Sequence, residues 1–200
     1  MILGLTGGIA SGKSLVAEIF RAFAIPVIDT DELARQVVAP SHPAWQLLRA
    51  TFGPDYFTAA GELDRAAMAR RVFADPDARH TLEAITHPAI FAAVDAQIAA
   101  LQAAAHPPKM ILVAVPLLFE VQAEGRFDGI IVVWATPEQQ RARLITTRAY
   151  TPEEADARIA AQLPLLDKVV RGDFIIDNTG TIDETREQVE DMILTLHGMP

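Results

Sequence analysis

The stretch Gly7-Gly8-Ile9-Ala10-Ser11-Gly12-Lys13-Ser14 constrains this chain more than any other. It satisfies G-x-x-x-x-G-K-[S/T]. A short apolar run, Ile2 to Leu5, precedes it, and an amphipathic stretch, Lys13 to Phe23, follows it. A strand that enters a helix through a glycine-rich turn is the setting in which this pattern cradles phosphate. The glycines let the backbone curl until successive N–H groups converge. The helix start adds unsatisfied donors and the positive end of its dipole. Lys13 is expected to reach the β- and γ-phosphates of ATP, and the Ser14 hydroxyl to ligate Mg²⁺. Average residue usage yields such a match in a chain of this length with a probability on the order of one percent. A turn that binds nothing has no use for Lys-Ser at its end, least of all in a chain with three lysines (Lys13, Lys109, Lys168) against fourteen arginines.

Strand-like and helix-like segments alternate along the 200 residues, which predicts an α/β fold with a parallel sheet. Expected strands are Ile2–Leu5, Val27–Ile28, Met110–Val115, Gly129–Trp134 and Phe174–Ile176. Between Pro40 and about Ala105 no strand is predicted. Helical patterns fill that stretch at 45–52, 65–73, 77–85 and 90–104, with His87-Pro88 as a helix boundary. Thr151-Pro152-Glu153-Glu154 and Thr181-Ile182-Asp183-Glu184 are capping boxes that open helices, the first running to about Leu163.

Val27-Ile28-Asp29-Thr30-Asp31 puts two carboxylates at the end of the second strand, the edge at which parallel sheets bind ligands. Phosphorylating an alcohol calls for a group that orients the hydroxyl and accepts its proton. Asp31 is the candidate, with a plain helix N-cap as the alternative. Asp29 is expected to orient Mg²⁺-bound water or the loop.

The net charge of −9 makes the chain a poor general binder of nucleic acid or anionic membrane, so phosphate must be held by local groups. The absence of cysteine excludes disulfides, thiolate metal sites and a Cys nucleophile. The first residues lack the pattern of a signal peptide, and no run approaching ~20 apolar residues is read. A cytoplasmic protein, monomeric or weakly self-associating, is expected.

Residues 4–14, then Val27–Asp31 with Ala34-Arg35, resemble the opening motifs of the dephospho-CoA kinases. Leu63-Asp64-Arg65, Val72-Phe73, His87-Pro88-Ala89-Ile90, Val115-Pro116-Leu117-Leu118-Phe119-Glu120, Arg141/Arg143, Gln162 and the closing Asp173 to Gly180 are similar to that family in the same order. The resemblance implies a P-loop core (1–39, 108–137, 172–200), a helical CoA-binding insertion (about 40–107) and a small lid (about 138–171). It implies transfer of the γ-phosphoryl group of ATP to the ribose 3′-hydroxyl of dephospho-CoA, with Asp31 as base.

ATP contacts are then expected from Gly8, Ile9, Ala10, Ser11, Gly12, Lys13, Ser14 and Leu15, from Arg148, and from Asn178 and Gly180 beside the base. Arg143 is expected to close over the γ-phosphate. Acceptor contacts are expected from Asp31, Arg65, His87, Pro116, Leu117 and Leu118, the last two being equally readable as core. Glu120 is expected to orient an Arg or Mg²⁺-bound water, and Lys168 to be a surface lysine.

Two positions depart from the family. Ala10 stands where it has Gly, which asks little of the backbone if φ there is negative. Thr147 stands where it has a lid arginine, with Arg148 next to it.

Overall fold

The structure, a computed structural model, describes residues 1–198. Strands β1 (Ile2–Gly7), β2 (Val27–Asp29), β3 (Ile111–Ala114), β4 (Gly129–Trp134) and β5 (Phe174–Asp177) form one parallel sheet in the order β2-β3-β1-β4-β5. These are the expected strands, with ends moved by a residue or two. Nearly every residue of β3 and β4 is buried, because helices cover both faces of a parallel sheet. On one face Leu3, Leu5, Leu112, Ala114, Ile131, Val133 and Ile176 recur with the period of two. They pack against Val16, Ile19 and Phe20 of helix α1 (Lys13–Ala22) and Val189 and Ile193 of α9 (Ile182–His197).

The chain forms two compact units. One comprises Met1–Asp29 and the segment from Ala105 onward; the other is Thr30–Ala104. The first unit also carries α6 (Pro137–Arg148), α7 (Pro152–Ala160) and α8 (Leu165–Arg171). Capping boxes close the starts of α6 (Thr136 with Gln139), α7 (Thr151 with Glu154) and α9 (Thr181 with Glu184). The sequence reading assigned no element between Leu163 and Phe174, where α8 lies. α8 is too short to display a period, and only Leu165 and Lys168 of it are buried.

The second unit is helical: α2 (Thr30–Gln36), α3 (Pro43–Phe52), α4 (Arg65–Ala74) and α5 (Pro76–Gln102). Its apolar cluster gathers Val37, Val38 and Leu48 with Phe52, Phe57, Leu63, Leu82, Ile85, Ala89, Ile90 and Ala93. The two helices read on either side of His87-Pro88 are one 27-residue helix, with Pro88 inside it. A mid-helix proline costs about 3 kcal/mol. Here Leu82 and Ile85 before it, and Ala89, Ile90 and Ala93 after it, pack on the same cluster. That shared burial outweighs the break. By length and composition α5 is also apolar enough to cross a bilayer, contrary to the sequence reading. Only Ala78, Val94 and Ile98 of α5 are buried, so burial in a core does not account for that composition.

Candidate active site

The glycine-rich turn joins β1 to α1 at the C-terminal edge of the central strand, which pairs with β3 on one side and β4 on the other. In open parallel sheets this is where ligands bind. Gly12 has φ of 103°, and a Cβ there would collide with Asn178 Nδ2. Glycine is required at this position on both counts. No side chain caps the start of α1, and its first turn holds no carboxylate. The first closure is Val16 N–H to Gly12 O, 3.1 Å. The amides of Lys13, Ser14 and Leu15 therefore remain as open donors beside the Lys13 ammonium.

What shapes the loop is a set of side chains that grip its carbonyls from outside. Gln140 Nε2 donates to Ile9 O at 2.6 Å. Arg143 donates to Ala10 O at 3.2 Å and to Ser11 O at 3.1 Å, and also to Asn178 O at 2.8 Å. Asn178 Nδ2 donates to Ser11 O at 2.7 Å, while its Oδ1 accepts from the buried Thr185 hydroxyl at 3.0 Å. With three successive carbonyls turned outward, the peptide planes present their other edge inward. Two loop N–H groups are already used: Ile9 N–H donates to Gln162 Oε1 at 2.8 Å, and Ser11 N–H donates to Gly8 O at 3.1 Å.

Several expectations shift in this frame. Arg143, expected over the γ-phosphate, spends three hydrogen bonds on loop and Asn178 carbonyls. Asn178, expected beside the base, holds the loop with its buried side chain. Ala10 has φ of 58°, not the negative value that would have made its replacement of Gly easy. A left-handed alanine costs about 1–2 kcal/mol. Arg148 ends α6 exposed, and Thr147 Oγ1 bonds back to Arg143 O at 2.5 Å. Gln140 and Thr185 carried no sequence signal, because they act through space and belong to no motif.

After β3, Thr6 Oγ1 donates to Pro116 O at 3.2 Å, joining the ends of β1 and β3. Leu117 is exposed, whereas Leu118 is fully buried against Gly4, so Leu118 belongs to the core. Glu120 Oε1 accepts from Leu163 N–H at 3.2 Å and meets Lys168 Nζ at 2.7 Å. Lys168 was expected at the surface and is instead completely buried. It lies on the inward face of α8, with Leu165 as the other buried residue of that helix.

Asp29 ends β2 in register with Ala114 of β3, which is itself in register with Leu5 of β1. One strand therefore separates Asp29 from β1 in the sheet. Asp31 is the second residue of α2, at the start of the second unit. Arg65 opens α4 directly after Asp64, whose carboxylate accepts from Ala67 N–H at 2.9 Å. His87 is half-buried within α5.

Among the described residues no cluster of His, Cys, Asp or Glu could cage a metal. The donor set suits a hard cation held chiefly by phosphate oxygens and water, with the exposed Ser14 hydroxyl as protein ligand.

A family model described as dephospho-CoA kinase matches residues 1–184. A dephospho-CoA kinase of Anaeromyxobacter dehalogenans is 44% identical over 98% of this chain and 92% of its own. One of Geobacter metallireducens is 44% identical over 94% of this chain and 93% of its own. Among solved structures, the dephospho-CoA kinase from Campylobacter jejuni superposes with a TM-score of 0.71 at 25% identity, covering 98% of this chain and 96% of that one. A shikimate kinase from Acinetobacter baumannii, 12% identical, covers 99% of this chain and 95% of its own with a TM-score of 0.53, and shares the fold alone.

Proposed function

The chain belongs to the dephospho-CoA kinase family, and from that premise we propose that it transfers the γ-phosphoryl group of ATP to the ribose 3′-hydroxyl of dephospho-CoA, yielding CoA and ADP. The observation that carries the nucleotide half of this reading is the uncapped start of α1 beside a loop whose carbonyls are pulled outward. Such a nest stabilises anionic oxygens without reorganising. Lys13 lies at its end to neutralise charge on the β- and γ-phosphates. Gly8 to Leu15 line it.

Asp31 is the proposed base. It accepts the 3′-hydroxyl proton as the oxygen bonds to the γ-phosphorus and the bond to the β-phosphate oxygen breaks. Arg143 supports this chemistry by fixing the loop, and Arg148 is an exposed cation at the end of α6. Arg65, His87, Pro116 and Leu117 are proposed on the acceptor side. Mg²⁺, held by Ser14 and the phosphates, would neutralise charge on the transferring group. The water-soluble substrates support a cytoplasmic setting.

ADP release measured with ATP and Mg²⁺, with and without dephospho-CoA, tests the reading against a panel of nucleosides and shikimate. Asp31→Asn is expected to keep ATP affinity within about twofold while turnover falls by about 10²–10⁴. Near-normal turnover in that variant would refute the base assignment.

A further inference from the structure

Within the second unit a cavity of about 250 Å³ is lined by Arg35, Val38, Pro40, Glu62, Leu63 and Arg65, among others. Val38 and Leu63 belong to the unit's apolar cluster, so one wall is fixed by core packing. Arg35, Arg65 and Glu62 supply its charged lining. Of the other arginines of this unit, Arg71 pairs with Asp75 at 2.7 Å and Arg49 lies over Trp45 and Phe57, while Arg70, on the exposed side of α4, has no ion pair among the described residues. Arg35 and Arg65 form no ion pair or side-chain hydrogen bond among the described residues, and Glu62 is bonded to neither. Arg35, Glu62 and Arg65 are all exposed, so the two cations and the one carboxylate of this lining are open to solvent.

Helix stability does not account for both. Arg35 sits in the last turn of α2, where a cation suits the dipole. Arg65 is the first residue of α4, whose opening turn holds no acid. A cation there opposes the dipole, weakly because Arg65 is exposed.

A guanidinium pair in a cavity suits an oxyanion with several acceptor atoms. The volume falls below the roughly 300–1,000 Å³ of a pocket that swallows a whole small molecule. It fits a charged group of one.

We propose that this cavity holds the diphosphate of the acceptor, with Arg35 and Arg65 as its ligands. The proposal rests on the reading of Asp31 as the residue that meets the acceptor's 3′-hydroxyl. Asp31 and Arg35 are four residues apart on α2, on one face and about 6 Å apart along the axis. That interval is comparable to the span of a ribose from its 3′-oxygen to the phosphate on its 5′-carbon. The helix would present base and anion ligand at the two ends of one sugar.

Calorimetric titration of dephospho-CoA, with ATP affinity as control, tests this. Arg35→Ala and Arg65→Ala are each expected to weaken dephospho-CoA binding about tenfold, and the pair about 100-fold, with Arg65→Lys recovering part of the loss. The ratio of kcat/KM for dephospho-CoA to that for adenosine, which lacks the diphosphate, should fall by a similar factor. Arg→Gln variants replace any alanine variant that does not fold. Unchanged dephospho-CoA affinity in the double variant overturns the proposal, as does a loss shared equally by adenosine. If the unsubstituted protein does not phosphorylate dephospho-CoA, the functional reading fails instead. The arginine site is then judged by pyrophosphate binding to Lys13→Ala protein, which removes the loop's own phosphate grip. Equal pyrophosphate binding with and without the two arginines overturns it.

Discussion

Ala10 occupies the left-handed region inside the phosphate loop, where its Cβ is a steric cost. The Arg143 and Gln140 bonds to neighbouring carbonyls hold the loop in that shape regardless. Ala10→Gly relieves the Cβ clash and loosens the unfolded chain, two effects of opposite sign and similar size. Its stability is expected within about 1 kcal/mol of the parent, with ATP affinity undiminished. A β-branched residue cannot adopt this φ without strain. Ala10→Val should therefore weaken ATP binding at least tenfold in a nucleotide titration; parental affinity would show that the loop tolerates the side chain. At Lys168 the cost is electrostatic. Its ammonium is buried and, among the described residues, pairs with Glu120, whose Oε2 is buried without a hydrogen-bond partner there. Lys168→Met strands a carboxylate, and single loss of a buried partner costs about 3–5 kcal/mol. Adding Glu120→Gln should restore much of that. A urea-unfolding double-mutant cycle reads the coupling, and strictly additive losses would mean that the pair does not interact.

The helices differ in how far their own residues announce them. Each capping box is a local pattern, and the start of α9 shows its physics. Thr181 N–H donates to Glu184 Oε2 at 2.7 Å and Glu184 N–H to Thr181 Oγ1 at 3.2 Å. The bond from the Thr181 backbone, helped by the Thr181 hydroxyl, holds the Glu184 pKa below its usual 4.5. A lowered carboxylate pKa contributes stability above the unfolded value, which is lost as pH falls through the folded one. Glu184→Ala should thus unfold at lower urea than the parent at neutral pH, and the gap should shrink as pH drops below 4.5. A gap of constant size down to strongly acidic pH would remove the charge from the account. Caps, the phosphate loop and the apolar strands were legible in the sequence because each is a short-range pattern with its own chemistry. The continuity of α5 through Pro88 was not, since the opposing force is packing on Val37, Val38 and Leu48, far off in sequence. Nor were the grips of Gln140 and the Asn178 side chain on the loop, which depend on where α6 and the β5–α9 turn come to lie. Lys168 misled for the same reason. Its burial follows from Glu120, 48 positions earlier, and from no feature of α8 itself.

On the scale of the molecule, a net charge of −9 opposes two polyanionic substrates, so attraction has to be local. The donors that supply it fall in different units. The amide nest and Lys13 belong to the first, built on the sheet core, and Arg35 and Arg65 belong to the second, built on its own apolar cluster. A unit with its own core opens with its own free energy, and a ligand raises that free energy for the unit it binds. Amide exchange should therefore separate the substrates. ATP with Mg²⁺ alone is expected to slow exchange in residues 8–15 and in α6, whose side chains hold the loop. Dephospho-CoA alone is expected to slow exchange in residues 31–40 and 62–68, around the arginine cavity. At a hundredfold excess over the dissociation constant the added protection is about 2.7 kcal/mol, a hundredfold slowing wherever opening releases the ligand. If dephospho-CoA by itself protected only residues 8–15, it would be bound in the nucleotide's place, and the assignment of the acceptor to the helical unit would fall.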